Sequence, residues 1–197
     1  MKTDKNNTLE IPENFEEACG IYKVKPARML QLFINHISFY QSLSNEFNGC
    51  YSLATNALLS HALKDQRGPS TPFMRQRAQS IKHLAALITL VAASQPSENE
   101  KWTQSKEIIS KIHESVHPHA TFADHIMIDE TQTLRLSPDF CVLCELHNYH
   151  PKEVLENFMK DISLADDPAG KRLKLEEDNL ARDFFFSIVI DMETYEQ

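Results

Sequence analysis

A nearly all-helical protein is what this sequence predicts, and three observations carry the prediction. Glycine is scarce, with 4 among 197 residues, so few positions are free to take the left-handed conformations that a chain of tight hairpins demands. Apolar residues recur at three- and four-residue spacing through most segments, the period of a helix that buries one face. One stretch, Phe15 to Ser38, also returns without a gap as Phe140 to Ser163, as a duplicated helical unit would.

The elements follow from punctuation. A first short helix is expected over Pro12 to Cys19 with Gly20 as its stop, and a second begins at Pro26, a residue suited to the first helical position. Met29, Leu30, Phe33, Ile37 and Tyr40 make its apolar stripe. A third helix is expected over Tyr51 to Leu63, then a loop from Lys64 to Ser70 that holds Gly68 and Pro69. Thr71 and Pro72 read as the cap and first residue of a fourth, running to Ala93. Ser97 with Glu100 three places on forms a capping box for a helix from Glu98 to Val116, which Pro118 ends. From Ala120 to Leu136 the helical period fades, and the runs starting at His125 and Leu134 fit a small β-hairpin within 125–136. Ser137 and Pro138 then cap and start another helix.

The repeat keeps seven identities: Phe15/Phe140, Cys19/Cys144, Pro26/Pro151, Leu30/Leu155, Phe33/Phe158, Ile37/Ile162 and Ser38/Ser163. These residues build a short helix, a turn and a helix opened by proline, so the repeat speaks of packing and turn geometry and carries no chemistry. With a gap, Leu53-Ala54 and Ser60 also match Leu180-Ala181 and Ser187. The expected architecture is a helical bundle in one compact domain: a first helix-turn-helix unit over 1–70, a central helix pair over 71–118, an irregular connection over 119–136 and a second unit over 137–197. The apolar run Phe184 to Ile190 is expected in the core or at a dimer interface.

Composition narrows the class. A chain of this length with 42% hydrophobic residues can bury a core without metal or disulfide support. Its longest apolar stretch, Leu84 to Ala93, is about half of a membrane span. Met1 to Glu10 is polar and charged, unlike a secretory signal, so the expectation is a cytoplasmic protein with Cys19, Cys50, Cys141 and Cys144 reduced. The net charge of -8 disfavours nucleic acid and acidic membranes on average, although a local basic patch can override it.

Three leads bear on function. His113-Glu-Ser-Val-His117 has the His-Glu-x-x-His form that looks like the zinc motif of metalloproteases, where histidines one helical turn apart hold the metal and Glu114 activates its water. His119, Asp124 and His125 are candidate third ligands. Against this, Pro118 biases His117 away from helical dihedrals and Lys111 puts a charge where the zincin family is uncharged. The bland alternative is a polar flank on the helix whose core stripe is Ile108, Ile109, Ile112 and Val116.

The second lead is the run Cys141, Cys144, His147, His150, in which Cys141 ends a first helical turn where the dipole favours a thiolate. The repeat aligns Cys144 with Cys19 among core positions, which makes it a small hydrophobe. The third lead is DNA. The first unit loosely resembles a helix-turn-helix reader, with Arg28, Gln31 and Asn35 suited to base edges and Lys23 and Lys25 suited to phosphates. Lys64, Arg67, Arg75, Arg77 and Lys82 make a further basic cluster. The reading preferred from sequence is a non-enzymatic regulatory or interaction module that binds a protein partner or a second copy of itself. The alternatives are DNA binding through the first unit and a zinc-dependent hydrolase.

Overall fold

The computed structural model describes residues 8–44, 49–128, 132–163 and 182–187, and among these the chain is largely α-helical with one two-stranded sheet. The first helix, Glu13–Ile21 (α1), turns Phe15, Ala18 and Cys19 inward. Gly20 does not stop it. The stop is Lys23, left-handed at φ 56°, and the N–H groups of Lys23 and Val24 return to the carbonyls of Gly20 and Cys19. Such bonds satisfy the last carbonyls of a helix, with lysine here in a place glycine more often takes.

Pro26 opens the second helix, Pro26–His36 (α2), and Met29, Leu30, Phe33 and Ile34 fill its inner side. The apolar stripe runs on to Tyr40 but the helix does not, because Ser38 is extended and caps a new short helix, Phe39–Leu43 (α3), through the Gln41 amide. Next comes Gly49–Asp65 (α4), longer at both ends than expected. The single helix expected from Thr71 to Ala93 is two, Thr71–Arg75 (α5) and Arg77–Ala92 (α6), broken at Gln76 with φ -95° and ψ 16°. Its cap is Ser70, not Thr71, since the Phe73 amide donates to the Ser70 hydroxyl oxygen.

The capping box of Ser97 and Glu100 is present and starts Glu98–Val116 (α7), which packs along α6 and against the helix Pro138–His147 (α8). Pro118 ends α7 as expected. His117 nevertheless keeps helical dihedrals, φ -56° and ψ -37°, and starts a 3-10 turn, His117–His119. The clash with the following proline is a bias that the tighter turn tolerates. The hairpin pairs His125–Met127 (β1) with Thr133–Arg135 (β2), antiparallel, in the register Ile126 opposite Leu134, and buries both of those side chains.

After α8 the turn residue Asn148 is left-handed at φ 54°, and the N–H groups of Asn148 and Tyr149 return to the carbonyls of Glu145 and Cys144. Pro151–Ile162 (α9) follows and buries Val154, Leu155, Phe158 and Met159. Residues 182–187 are helical, with Phe184 and Phe185 buried and Phe186 57% exposed. Leu180-Ala181 and positions 188–190, which sequence matching and the apolar run had singled out, lie outside the described residues. Buried side chains from Leu9 to Phe185 join one apolar cluster, so the core draws on both ends of the chain.

Candidate functional site

The last turn of α7 brings His113 and His117 together as the spacing predicts, their rings stacked with centroids 4.6 Å apart and 20° between planes. His113 Nε2 and His117 Nδ1 are buried and have no hydrogen-bond partner among the described residues. Phe122 packs on His117 and on His150, at the edge of the half-buried pair. Burial first, and then the neighbouring His117, hold the His113 imidazole below its usual range, which keeps it neutral.

The candidate third ligands do not converge on this pair. His119 and Glu114 are exposed, and Asp124 and His125 bond to each other at 3.0 Å on the exposed side of β1. Among the described residues no three His, Cys, Asp or Glu side chains form a group that could hold a metal ion. What the arrangement supplies is two stacked imidazoles, with Phe122 beside His117.

The cysteine run is likewise buried rather than poised. Cys141 is 1% exposed, and burial pushes its thiol up to about 12, so desolvation outweighs the helix dipole invoked from sequence. Burial raises Cys144 well above the ordinary range, and Cys19, its counterpart in the first stretch, to about 12. Beside them the sequence reading missed a buried carboxyl, Glu145, raised by its burial and bonded by the Ser70 hydroxyl, while the Ser70 amide donates to the Glu145 carbonyl. These bonds fix the start of α5 to α8. No local pattern signals a pair 75 residues apart.

In the first unit Lys23, Lys25, Arg28 and Asn35 are exposed, but Gln31 is not available to a base edge. Its amide donates to the Arg135 carbonyl and accepts from the Arg135 N–H, both at 2.9 Å, and it also donates to Asn35 Oδ1. The side chain thus acts as one more strand partner for β2, and the hairpin lies on the face of α2 that would have to enter a groove. Of the second basic cluster, Arg67 is engaged in a two-pronged bond to Glu153 and a third to Asp65, and lies 4.1 Å above the Tyr149 ring. Such planar pairing joins the loop after α4 to α9.

Among the described residues one surface is left without a partner. α6 buries only Ser80 and Leu87, and its outer side carries Ala78, Ile81, Ala85, Ile88 and Ala92, all exposed, with exposed Met74 before them on α5. From Ala78 to Ala92 the spacing is three, four, three, four, the heptad pattern of a helix that packs on another helix. Met74, Ile81 and Ile88 are 45%, 47% and 56% exposed, although apolar side chains of this size are ordinarily inside. The stripe continues into an open groove of about 440 Å³ between α3 and the end of α6, lined by Tyr40, Leu43, Ile88, Val91, Ala92 and Glu98 among others.

Comparison with protein-family models, with curated proteins and with solved structures gives no match. The signal for the α6 surface was present in the sequence as a 3.5-residue repeat. It was hidden because α6 is apolar on both sides and burial cannot be read from one chain.

Proposed function

We propose that the protein is a non-enzymatic interaction module that binds another protein chain through the outer side of α6. The observation that carries this reading is the row of exposed aliphatics, Met74, Ile81 and Ile88, at heptad spacing with alanines between them. Leu87 and Ser80 already satisfy the packing of α6 onto the body of the protein, about a third of the way round the helix from this row. Contiguous exposed apolar surface of this kind marks a binding face more often than chance decoration. The paired histidines and the buried thiols support a packing role for the residues that first suggested chemistry.

A benzophenone side chain placed at position 88 of the full chain, and irradiated in the cells that make it, tests the reading. Adducts to a protein are expected from position 88 and not from exposed, polar position 107. No adduct from position 88 beyond that of the control contradicts it.

A further inference from the structure

We infer that the chain covering α6 is a second copy of the same protein, packed antiparallel on it about a twofold axis. The proposal rests on α6 being an interaction face and adds the identity of the occupant. Two features of the stripe select it.

The first is size. The stripe alternates large and small, and when α6 is laid antiparallel on itself, with position 83 over position 83, each isoleucine meets an alanine: Ile88 faces Ala78, and Ile81 faces Ala85. Alanines at every seventh position let two helices approach at the short end of the roughly 8–10 Å found for packed pairs, with the aliphatics filling the space beside them. A parallel pairing in register would set Ile81 on Ile81 and Ala85 on Ala85, crowding one layer and leaving the next empty.

The second is charge. No acid occurs between Asp65 and Glu98, and Arg75 and Arg77 stand exposed at the start of α6. At its far end stand Glu98 and Glu100, on the first turn of α7, with Lys101 paired to Glu98 at 2.6 Å, so that this end keeps an acidic balance through Glu100. Antiparallel packing sets the basic end of each copy near the acidic end of the other, whereas parallel packing would bring like charges together. Lys82 lies beside the axis in each copy and is exposed, with a stem long enough to carry its charge outward to water. An interface of one helix from each copy is small, so the dimer is reversible.

The test mixes equal amounts of full-length I81C and A85C proteins under mild glutathione oxidation and maps the intermolecular disulfides by mass spectrometry. Both positions are exposed, so each variant should melt with the parent. The expected product joins position 81 of one chain to position 85 of the other, well above the twofold statistical excess over either homodisulfide. Predominant homodisulfides, or no intermolecular bond at these positions, overturn the proposal. Adducts from position 88 in cells that reach only a different protein overturn the second copy while leaving the interaction face in place. No adduct of either kind removes both.

Discussion

Phe33 and Phe158 stack ring on ring, 3.8 Å between centroids and 10° between planes, and they are the same position of two stretches 125 residues apart. Around them the two stretches follow a matching course. Lys23 and Asn148 are both left-handed, Cys19 and Cys144 are both fully buried, and both second helices open on proline. Phe184 closes the stack by packing on both rings.

Truncating either ring removes a large buried side chain whose neighbours cannot collapse fully, so Phe33→Ala or Phe158→Ala should each cost about 3–5 kcal/mol in urea unfolding. The double variant should show a coupling of about 0.5–1.5 kcal/mol, the usual worth of an aromatic pair beyond its area. Strict additivity would mean that the stack contributes burial alone.

Gln31 holds the hairpin to α2 by two hydrogen bonds to one backbone residue. Gln31→Ala should destabilise the protein by about 1–3 kcal/mol, given about 0.5–1.5 for each bond. It should also speed hydrogen exchange at the Arg135 amide more than at amides of α7. Unchanged exchange at Arg135 would show that the strand is held by other contacts.

How far the sequence could be read varies with the range of the signal. Pro26, Pro138, Pro151, Ser137 and the Ser97–Glu100 box announced helix starts because each acts within one turn of itself. The runs at His125 and Leu134 announced the hairpin, but its register, with Ile126 opposite Leu134, was not read from them. The break at Gln76 has no local signal, since glutamine and its neighbours favour helix, and the stop at Lys23 depends on a conformation lysine rarely takes. Gln31 looked like a reader of bases because its partner, Arg135, is 104 residues away. Cys141 looked activated because a helix dipole is visible in sequence and burial is not.

Acid should weaken the fold through the histidines. His113, His147 and His150 are held below the usual histidine range, in each case by burial first. A group whose folded pKa lies below its unfolded value stabilises the fold above that unfolded value and loses the contribution as pH falls toward the folded one, because the unfolded chain binds more protons. The unfolded value of about 6.5 sets the top of the window, so these residues should lower Tm as pH drops from there. Glu145 acts in the opposite sense, its raised carboxyl giving full stability at low pH and losing it as pH rises. The H113Q/H150Q variant should therefore lose less Tm than the parent between about pH 7.5 and 5.5, on either side of the histidine range. Equal losses would contradict the assignment.

The thiols should be quiet in the native state. Cys19, Cys141 and Cys144 are each no more than 1% exposed, with pKa values raised by burial. A thiol reagent should label at most one of the four cysteines rapidly before denaturant is added, and all four after. Fast native labelling of Cys141 would restore the reactive reading.

Sedimentation equilibrium of the full chain beside Ile88→Glu tests the pairing of α6 most directly. The wild type should rise with concentration from 22.6 kDa toward twice that mass, while Ile88→Glu, with an unchanged circular dichroism melt, stays at 22.6 kDa. A wild type that remains at 22.6 kDa throughout, or an Ile88→Glu variant that associates as strongly, would contradict it.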